Sequence, residues 1–168
     1  SNIRLDDEKT SAEISKCLEM HDSVYHTGNE ALDIILAERK ILCDNSGIGF
    51  TCIADGKLLN MMNTGDIYSL FGNALDNAIE CQQKVKEKEL RNIKMLINRV
   101  NEMVKITVEN YVSERPDMVN GIPKTTKDDA QNHGYGIKSM QYIVNKYNGI
   151  MELGVVEDIF HVDILIPL

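Results

Sequence analysis

Apolar residues recur every three to four positions in four stretches of the chain, and five shorter runs are rich in β-branched and alternating residues. Thr10-Ser11-Ala12-Glu13 has a capping-box pattern, and Ile14, Cys17, Leu18, Val24 and Tyr25 follow at helical spacing, which predicts a helix to about His26. Its apolar strip is narrow, as suits pairing with another helix. Thr27-Gly28-Asn29-Glu30 repeats the capping pattern and opens a second helix, whose Leu32, Ile35, Leu36 and Arg39 stripe fades near Cys43. Residues 50–54 form a short strand ended by Asp55-Gly56, and Thr64-Gly65-Asp66 opens a long helix over 66–88. Residues 93–100 and 104–109 read as a hairpin around Asn101-Glu102. Residues 111–133 hold two of the three prolines and no clear period, so they predict a long loop of the kind that forms lids. A last helix over 136–147 stops at Asn148-Gly149, and residues 150–156 and 159–166 pair around Glu157-Asp158. Hairpins segregated from helices imply an α+β two-layer sandwich, with helices covering one face of a mixed, mostly antiparallel sheet.

Composition narrows the function classes. The 168 residues, 43% hydrophobic, suffice for one ordinary domain with its own core. A net charge of −8 speaks against a broad nucleic-acid surface, though a local cluster can still hold a phosphate. Cys17, Cys43, Cys52 and Cys81 show no metal-ligand spacing and lie in apolar or periodic stretches, so they read as reduced core residues. No run approaches the roughly 18 apolar residues of a membrane span, and no signal peptide opens the chain. Ser1-Asn2 reads as a tag remnant, and the polar start as that of a piece cut from a longer protein whose parent can sit in a membrane.

Two segments carry candidate chemistry. On a projection of residues 66–88, Ile67, Phe71, Ala74, Leu75 and Ala78 fall on one side, and Ser69, Asn73, Asp76, Asn77 and Glu80 on the other. A solvated face is the bland reading, but Glu, Lys and Gln usually build such faces. Two asparagines and Gly72 in mid-helix cost about 0.6 to 1 kcal/mol each relative to alanine. An Asn oxygen can ligate Mg²⁺ that also binds phosphate, without adding negative charge. The second segment runs Asn132-His133-Gly134-Tyr135-Gly136-Ile137-Lys138-Ser139-Met140 into a helix. It reads either as a tight turn or as a phosphate cradle, with backbone donors at Gly136, Ile137 and Lys138 and the Lys138 ammonium as charge partner. Lys124 and Lys127 in the lid can serve likewise or merely solubilise. His133 can donate to phosphate or anchor the loop.

Phe71-Gly72-Asn73-Ala74-Leu75-Asp76-Asn77-Ala78-Ile79-Glu80 resembles the N box of the GHKL superfamily, and Asn132 to Met140 resembles its final glycine box. The resemblance covers residues 27–168 and implies that superfamily's Bergerat ATP-binding fold with a long ATP lid. Thr27-Gly28-Asn29, Leu75-Asp76-Asn77-Ala78 and Asn132-His133-Gly134 further resemble sensor histidine kinases of the peptide-quorum-sensing (Agr-like) branch. By that resemblance Asn77 ligates Mg²⁺, and Asn73 holds the phosphate end or positions the transfer. Gyrase-like and chaperone-like relatives carry a glutamate general base where Asn73 stands. Asparagine cannot take a proton, which favours phosphoryl transfer to a protein over ATP hydrolysis. The middle box departs from the usual Asp-x-Gly-x-Gly. Here Val108-Glu109-Asn110-Tyr111-Val112-Ser113 puts Asn110 where an aspartate reads the adenine amine, or leaves it a strand-ending turn residue. His21 stands too close to Thr27 to be the phosphoacceptor, since the family has a whole helical hairpin there; His26 and His161 read as structural or exposed.

The resemblance thus implies residues 1–26 as the tail of a dimerising, phosphoacceptor hairpin and 27–168 as the ATP-binding catalytic domain of a two-component sensor histidine kinase. Its expected cofactors are ATP and Mg²⁺. Its expected partners are the parent's hairpin, a response regulator and a second copy in a homodimer, in a cytoplasmic domain of a membrane-held parent. Three rivals stand beside this reading, one of them a bland α+β domain with a fortuitous polar helix. An anti-sigma-type serine kinase lacks a hairpin tail, against which the helix at 10–26 argues; a non-catalytic nucleotide-sensing scaffold would explain the weak middle box.

Overall fold

The computed structural model describes residues 24–124 and 133–168. Among these, helix α1 (Glu30–Asn45) leads to strand β1 (Gly49–Ala54), then helix α2 (Thr64–Gln83) and the hairpin of β2 (Asn92–Val100) and β3 (Met103–Tyr111). A small ribbon of β4 (Met118–Val119) and β5 (Ile122–Pro123) follows, then helix α3 (His133–Lys146) and the closing hairpin of β6 (Ile150–Val156) and β7 (Ile159–Pro167). Five strands form one sheet in the order β1-β2-β3-β7-β6, parallel between β1 and β2 and antiparallel elsewhere. The three helices lie on one face, which is the α+β two-layer arrangement expected from the pattern.

Alternation along the strands decides that face. On β3, Val104, Ile106, Val108 and Asn110 are buried under the helices, in register with Ile166, Ile164, Val162 and Phe160 of β7. Leu32, Ile35 and Leu36 of α1, Ile67, Leu70, Phe71, Ala74, Leu75 and Ala78 of α2, and Ile137, Met140, Ile143 and Val144 of α3 complete the core. Each fully buried aliphatic or aromatic side chain contributes roughly 1.5–3 kcal/mol, so this layer is the main source of stability. On the opposite face His161 Nδ1 lies 2.8 Å from Asp163 Oδ2, whose other oxygen accepts from Thr107 Oγ1 at 2.8 Å, so His161 is structural. Cys43, Cys52 and Cys81 are free; burial pushes the Cys43 thiol up to about 11 and the Cys52 thiol up to about 12.

Several boundaries differ from the sequence reading, each for a local reason. The expected helix at 10–26 lies outside the described residues except for 24–26, which are not helical. The N-cap of α1 is Asn29 rather than Thr27: Gly28 adopts φ 93°, Asn29 Oδ1 accepts from Leu32 N at 3.0 Å, and Thr27 Oγ1 instead donates to Asp33 at 2.6 Å. Helix α2 ends at Gln83, five residues short of the expected Lys88, after which Arg91 turns back to the carbonyls of Val85 and Ser46. The loop after β3 holds the β4–β5 ribbon, whose Asn120 and Gly121 both have positive φ (52° and 75°), the conformation of a tight type I′ turn. Helix α3 starts three residues early, at His133.

The end of α3 shows how tightly helix and sheet meet. Asn148 takes the left-handed position (φ 56°), while the amides of Asn148 and Gly149 bond back to Asn145 and Val144, a Schellman closure. Gly149 is required for space: a Cβ there would sit 2.6 Å from Leu165 O and 2.9 Å from Ile166 Cγ1. Gly149→Ala should therefore lower the free energy of unfolding by roughly 1–3 kcal/mol, the usual range for overpacking, whereas Asn148→Gly should be neutral or stabilising. Denaturant midpoints of the two variants check this.

Candidate functional site

The polar side of α2 is not a solvated face. It is half-buried between its two neighbours. Asp76 turns to α1, with Arg39 Nε 2.8 Å from Asp76 Oδ1 and Arg39 Nη2 donating to Oδ2 at 3.3 Å. Ser69 Oγ meets Ser139 Oγ of α3 at 3.1 Å, and Asn73 Nδ2 donates back to Ser69 O at 2.7 Å. That bond occupies the Asn73 nitrogen and leaves Oδ1 towards α3. Gly136 lies directly opposite: a Cβ there would be 3.2 Å from Asn73 Oδ1 and 3.6 Å from Asn77 Oδ1. The missing side chain lets the first turn of α3 approach the two asparagines. Gly72, also on α2, would meet only Arg39 at 3.5 Å, an ordinary contact, and nothing in the structure explains glycine there.

The described part of α3 opens at His133, and the first-turn amides of a helix have no partner within it. The amides of Ile137 and Lys138, expected as phosphate donors, fall inside the hydrogen-bonded helix. The first-turn amides of a helix, with its dipole behind them, are the ones open to an anion.

Beside this contact a cavity of about 210 Å³ opens between helices and sheet. Asn77 and Cys81 of α2 and Lys84 just after it form one wall; Ile137 of α3 and Leu153, Phe160 and Val162 of the last hairpin form another. Asn110, Val112, Glu114, Pro116, Pro123 and Lys124 line the side towards the loop and ribbon. Asn110 is not a turn residue. It lies within β3, 4% exposed, its Nδ2 donating to Cys81 Sγ at 3.3 Å and to Tyr111 O at 3.1 Å. Tyr111 O also accepts from Gln82 Nε2 at 2.6 Å, and Gln82 Oε1 takes the Asn92 amide at 2.9 Å, so the end of α2 is pinned to both strands of the first hairpin.

Of the candidate residues, the structure brings Asn77, Asn110 and Ile137 to the cavity lining and sets Gly136 against Asn73 and Asn77 beside it, with Gly134 in the same turn of α3. Lys138 is exposed and does not line the cavity. Lys127, Asn132 and the side chain of His133 lie outside the described residues. Lys124, considered only as a lid lysine, lines the cavity. Cys81 was read as core but faces the cavity. Its position four residues after Asn77, one turn along the same helix face, was the available signal. Leu153, Phe160 and Val162 gave none, since wall and core share one alternation.

A mixed five-stranded sheet under three helices, with a cavity between the central helix and the sheet, is the Bergerat arrangement. The chain belongs to the GHKL domain family, which matches residues 62–167. The catalytic domain of histidine kinase ThkA superposes with a TM-score of 0.62 at 17% identity, over 82% of this chain and 90% of that one. The Acinetobacter baumannii histidine kinase AdeS gives 0.55 at 13% identity, over 99% of this chain and 85% of its own. The histidine kinase domain of the Erythrobacter litoralis EL346 blue-light activated histidine kinase gives 0.53 at 14%, over 82% and 61%. Identities this low carry the fold alone. No curated protein matches the chain. Among the described residues no helix is long and apolar enough to cross a membrane.

At the far end α3 is tied to the start of α2. The N-cap of α2, Asn63, makes no side-chain cap bond; its amide donates instead to Tyr147 Oη at 2.9 Å, and that hydroxyl donates to Asp66 Oδ2 at 2.5 Å. Lys146 Nζ reaches the same oxygen at 2.8 Å. Lys146 first, and Tyr147 next, hold the Asp66 carboxyl below its ordinary value of 3.8. Because the folded value is the lower one, the stabilisation is complete above about pH 3.8 and is lost as pH falls through the folded value. Asp66→Asn should therefore melt lower than wild type at pH 6, and the two thermal midpoints should converge in acid below pH 3.8.

Proposed function

We propose that this chain is the ATP-binding catalytic domain of a sensor histidine kinase, which presents the γ-phosphoryl group of ATP to a histidine on a dimerising helical hairpin. The observation that carries this reading is the contact of the α3 first turn with Asn73 and Asn77 at the mouth of a cavity containing Asn110. Unclaimed amides, two neutral carboxamides and an apolar slot match a phosphate chain at one end and a flat base at the other.

The donor set fits Mg²⁺ held jointly by protein and substrate. Among the described residues no group of three or more His, Cys, Asp or Glu side chains could hold a metal by itself. Asn77, whose side-chain carboxamide makes no hydrogen bond among those residues, would supply one oxygen and the phosphates the others, in keeping with the habit of this ion. When bound, Mg²⁺ supplies charge neutralisation to the phosphate oxygens. The chain's own residues do the positioning. The first turn of α3 orients the phosphate chain, Asn110 reads the base, and Leu153, Phe160 and Val162 exclude water beneath it. Asn73 has no basic group with which to activate water, which favours transfer to a protein side chain over hydrolysis.

In this reading residues 1–26 end the hairpin and residues 27–168 are the catalytic domain of a dimeric, membrane-held parent of the Agr-like branch that signals to a response regulator. Calorimetric titration of ATP with and without Mg²⁺ tests it. Wild type should bind in a Mg²⁺-dependent manner, and Asn77→Ala should weaken binding by roughly tenfold to a hundredfold, the worth of one bond to a charged group. Absence of binding at millimolar ATP in wild type would overturn the catalytic reading in favour of a nucleotide-free scaffold.

A further inference from the structure

An aspartate at the base-reading position accepts hydrogen bonds whichever way it turns. An asparagine does not, because turning the carboxamide over exchanges an acceptor for a donor. Asn110 therefore selects a base only if something fixes its orientation, and the structure contains such a device. Nδ2 donates to Tyr111 O at 3.1 Å and to Cys81 Sγ at 3.3 Å. The Tyr111 carbonyl can only accept, so the nitrogen belongs on its side. That carbonyl is itself fixed, since Gln82, fully buried, donates to it at 2.6 Å while accepting from the Asn92 amide. Asn110 Oδ1 accepts no hydrogen bond among the described residues, although the residue is 4% exposed and lines the cavity.

We infer that Cys81 is a positioning residue for base selection: with Tyr111 O it locks the Asn110 carboxamide with its oxygen towards the cavity, so that the site takes a base bearing an amino group and rejects one bearing a keto oxygen there. The inference rests on the nucleotide reading above and adds to it the residue that sets the selectivity. Without the thiol, one Nδ2 hydrogen loses its partner in a buried place and Tyr111 O alone holds the orientation, so the carboxamide turns over more readily and its nitrogen can meet a keto oxygen.

The test compares Mg²⁺-ATP with Mg²⁺-ITP, which carries a 6-oxo group in place of the 6-amino group, by calorimetry on the whole chain. Wild type should prefer ATP by about tenfold, the scale of one hydrogen bond gained against one left unmade. Cys81→Ala and Cys81→Val, which remove the acceptor with and without leaving space, should each bring the ratio down by roughly fivefold. Cys81→Ser, which keeps an acceptor, should restore most of it. Thermal melts identify any variant that fails to fold, and either acceptor-free variant suffices. A merely structural role would weaken both nucleotides alike and leave the ratio unmoved. A wild-type ratio retained in the acceptor-free variants, or lost equally in the serine variant, would overturn the role of Cys81 while leaving nucleotide binding intact. Equal binding of ATP and ITP by wild type would overturn the lock itself. Binding of neither would overturn the nucleotide reading, and with it this inference.

Discussion

The approach of α3 to the polar face of α2 is the constraint on which the site depends. Gly136 serves it, because a Cβ there would stand 3.2 Å from Asn73 Oδ1 and make that side chain give way. The approach also needs the two helices held in register over their length. Ser69 and Ser139 meet near the site, and Tyr147, Asp66 and Lys146 close the far end. With both ends tied, the first turn of α3 is held against two neutral amide side chains. Neutral partners matter in a chain of net charge −8, where a further carboxylate would add to the repulsion already present.

The sheet contributes rigidity and a surface. Its core-facing residues on β7 and β6 pass without a break from packed interior to cavity wall, so the cavity inherits an apolar lining from the same alternation that builds the core. The first hairpin contributes a buried polar chain. Gln82 joins the Asn92 amide to the Tyr111 carbonyl, and Tyr111 joins Gln82 to Asn110. Buried amides of this kind are costly when half satisfied and specifying when complete. Among the described residues the chain is complete except at Asn110 Oδ1.

Much of this was legible in the linear pattern. The alternation of β2, β3 and β7, the hairpin turns at Asn101 and Glu157, and the buried stripe Ile67, Phe71, Ala74, Leu75 and Ala78 follow from periods of two and of 3.6. The asparagines announced themselves by being poor helix formers in mid-helix. Element ends were less legible, because they depend on single bonds to distant or neighbouring groups. Asn29 rather than Thr27 caps α1 once Thr27 is taken by Asp33, and α2 is capped by the hydroxyl of Tyr147, 84 residues away from Asn63.

The sequence by itself determined which residues turn inward, which segments carry polar groups against their propensity, and hence the family resemblance and the pairing of two boxes. Only the tertiary structure decided what stands opposite each of them. Periodicity reports the face of an element and is silent about the partner of that face. Cys81 and Leu75 look equally apolar along the chain, yet one supports Asn110 beside a cavity and the other is sealed in the core. Lys138 and Gly136, two residues apart, separate into an exposed cation and a buried contact because α3 turns them to different sides. That assignment is fixed by packing between helices distant in sequence.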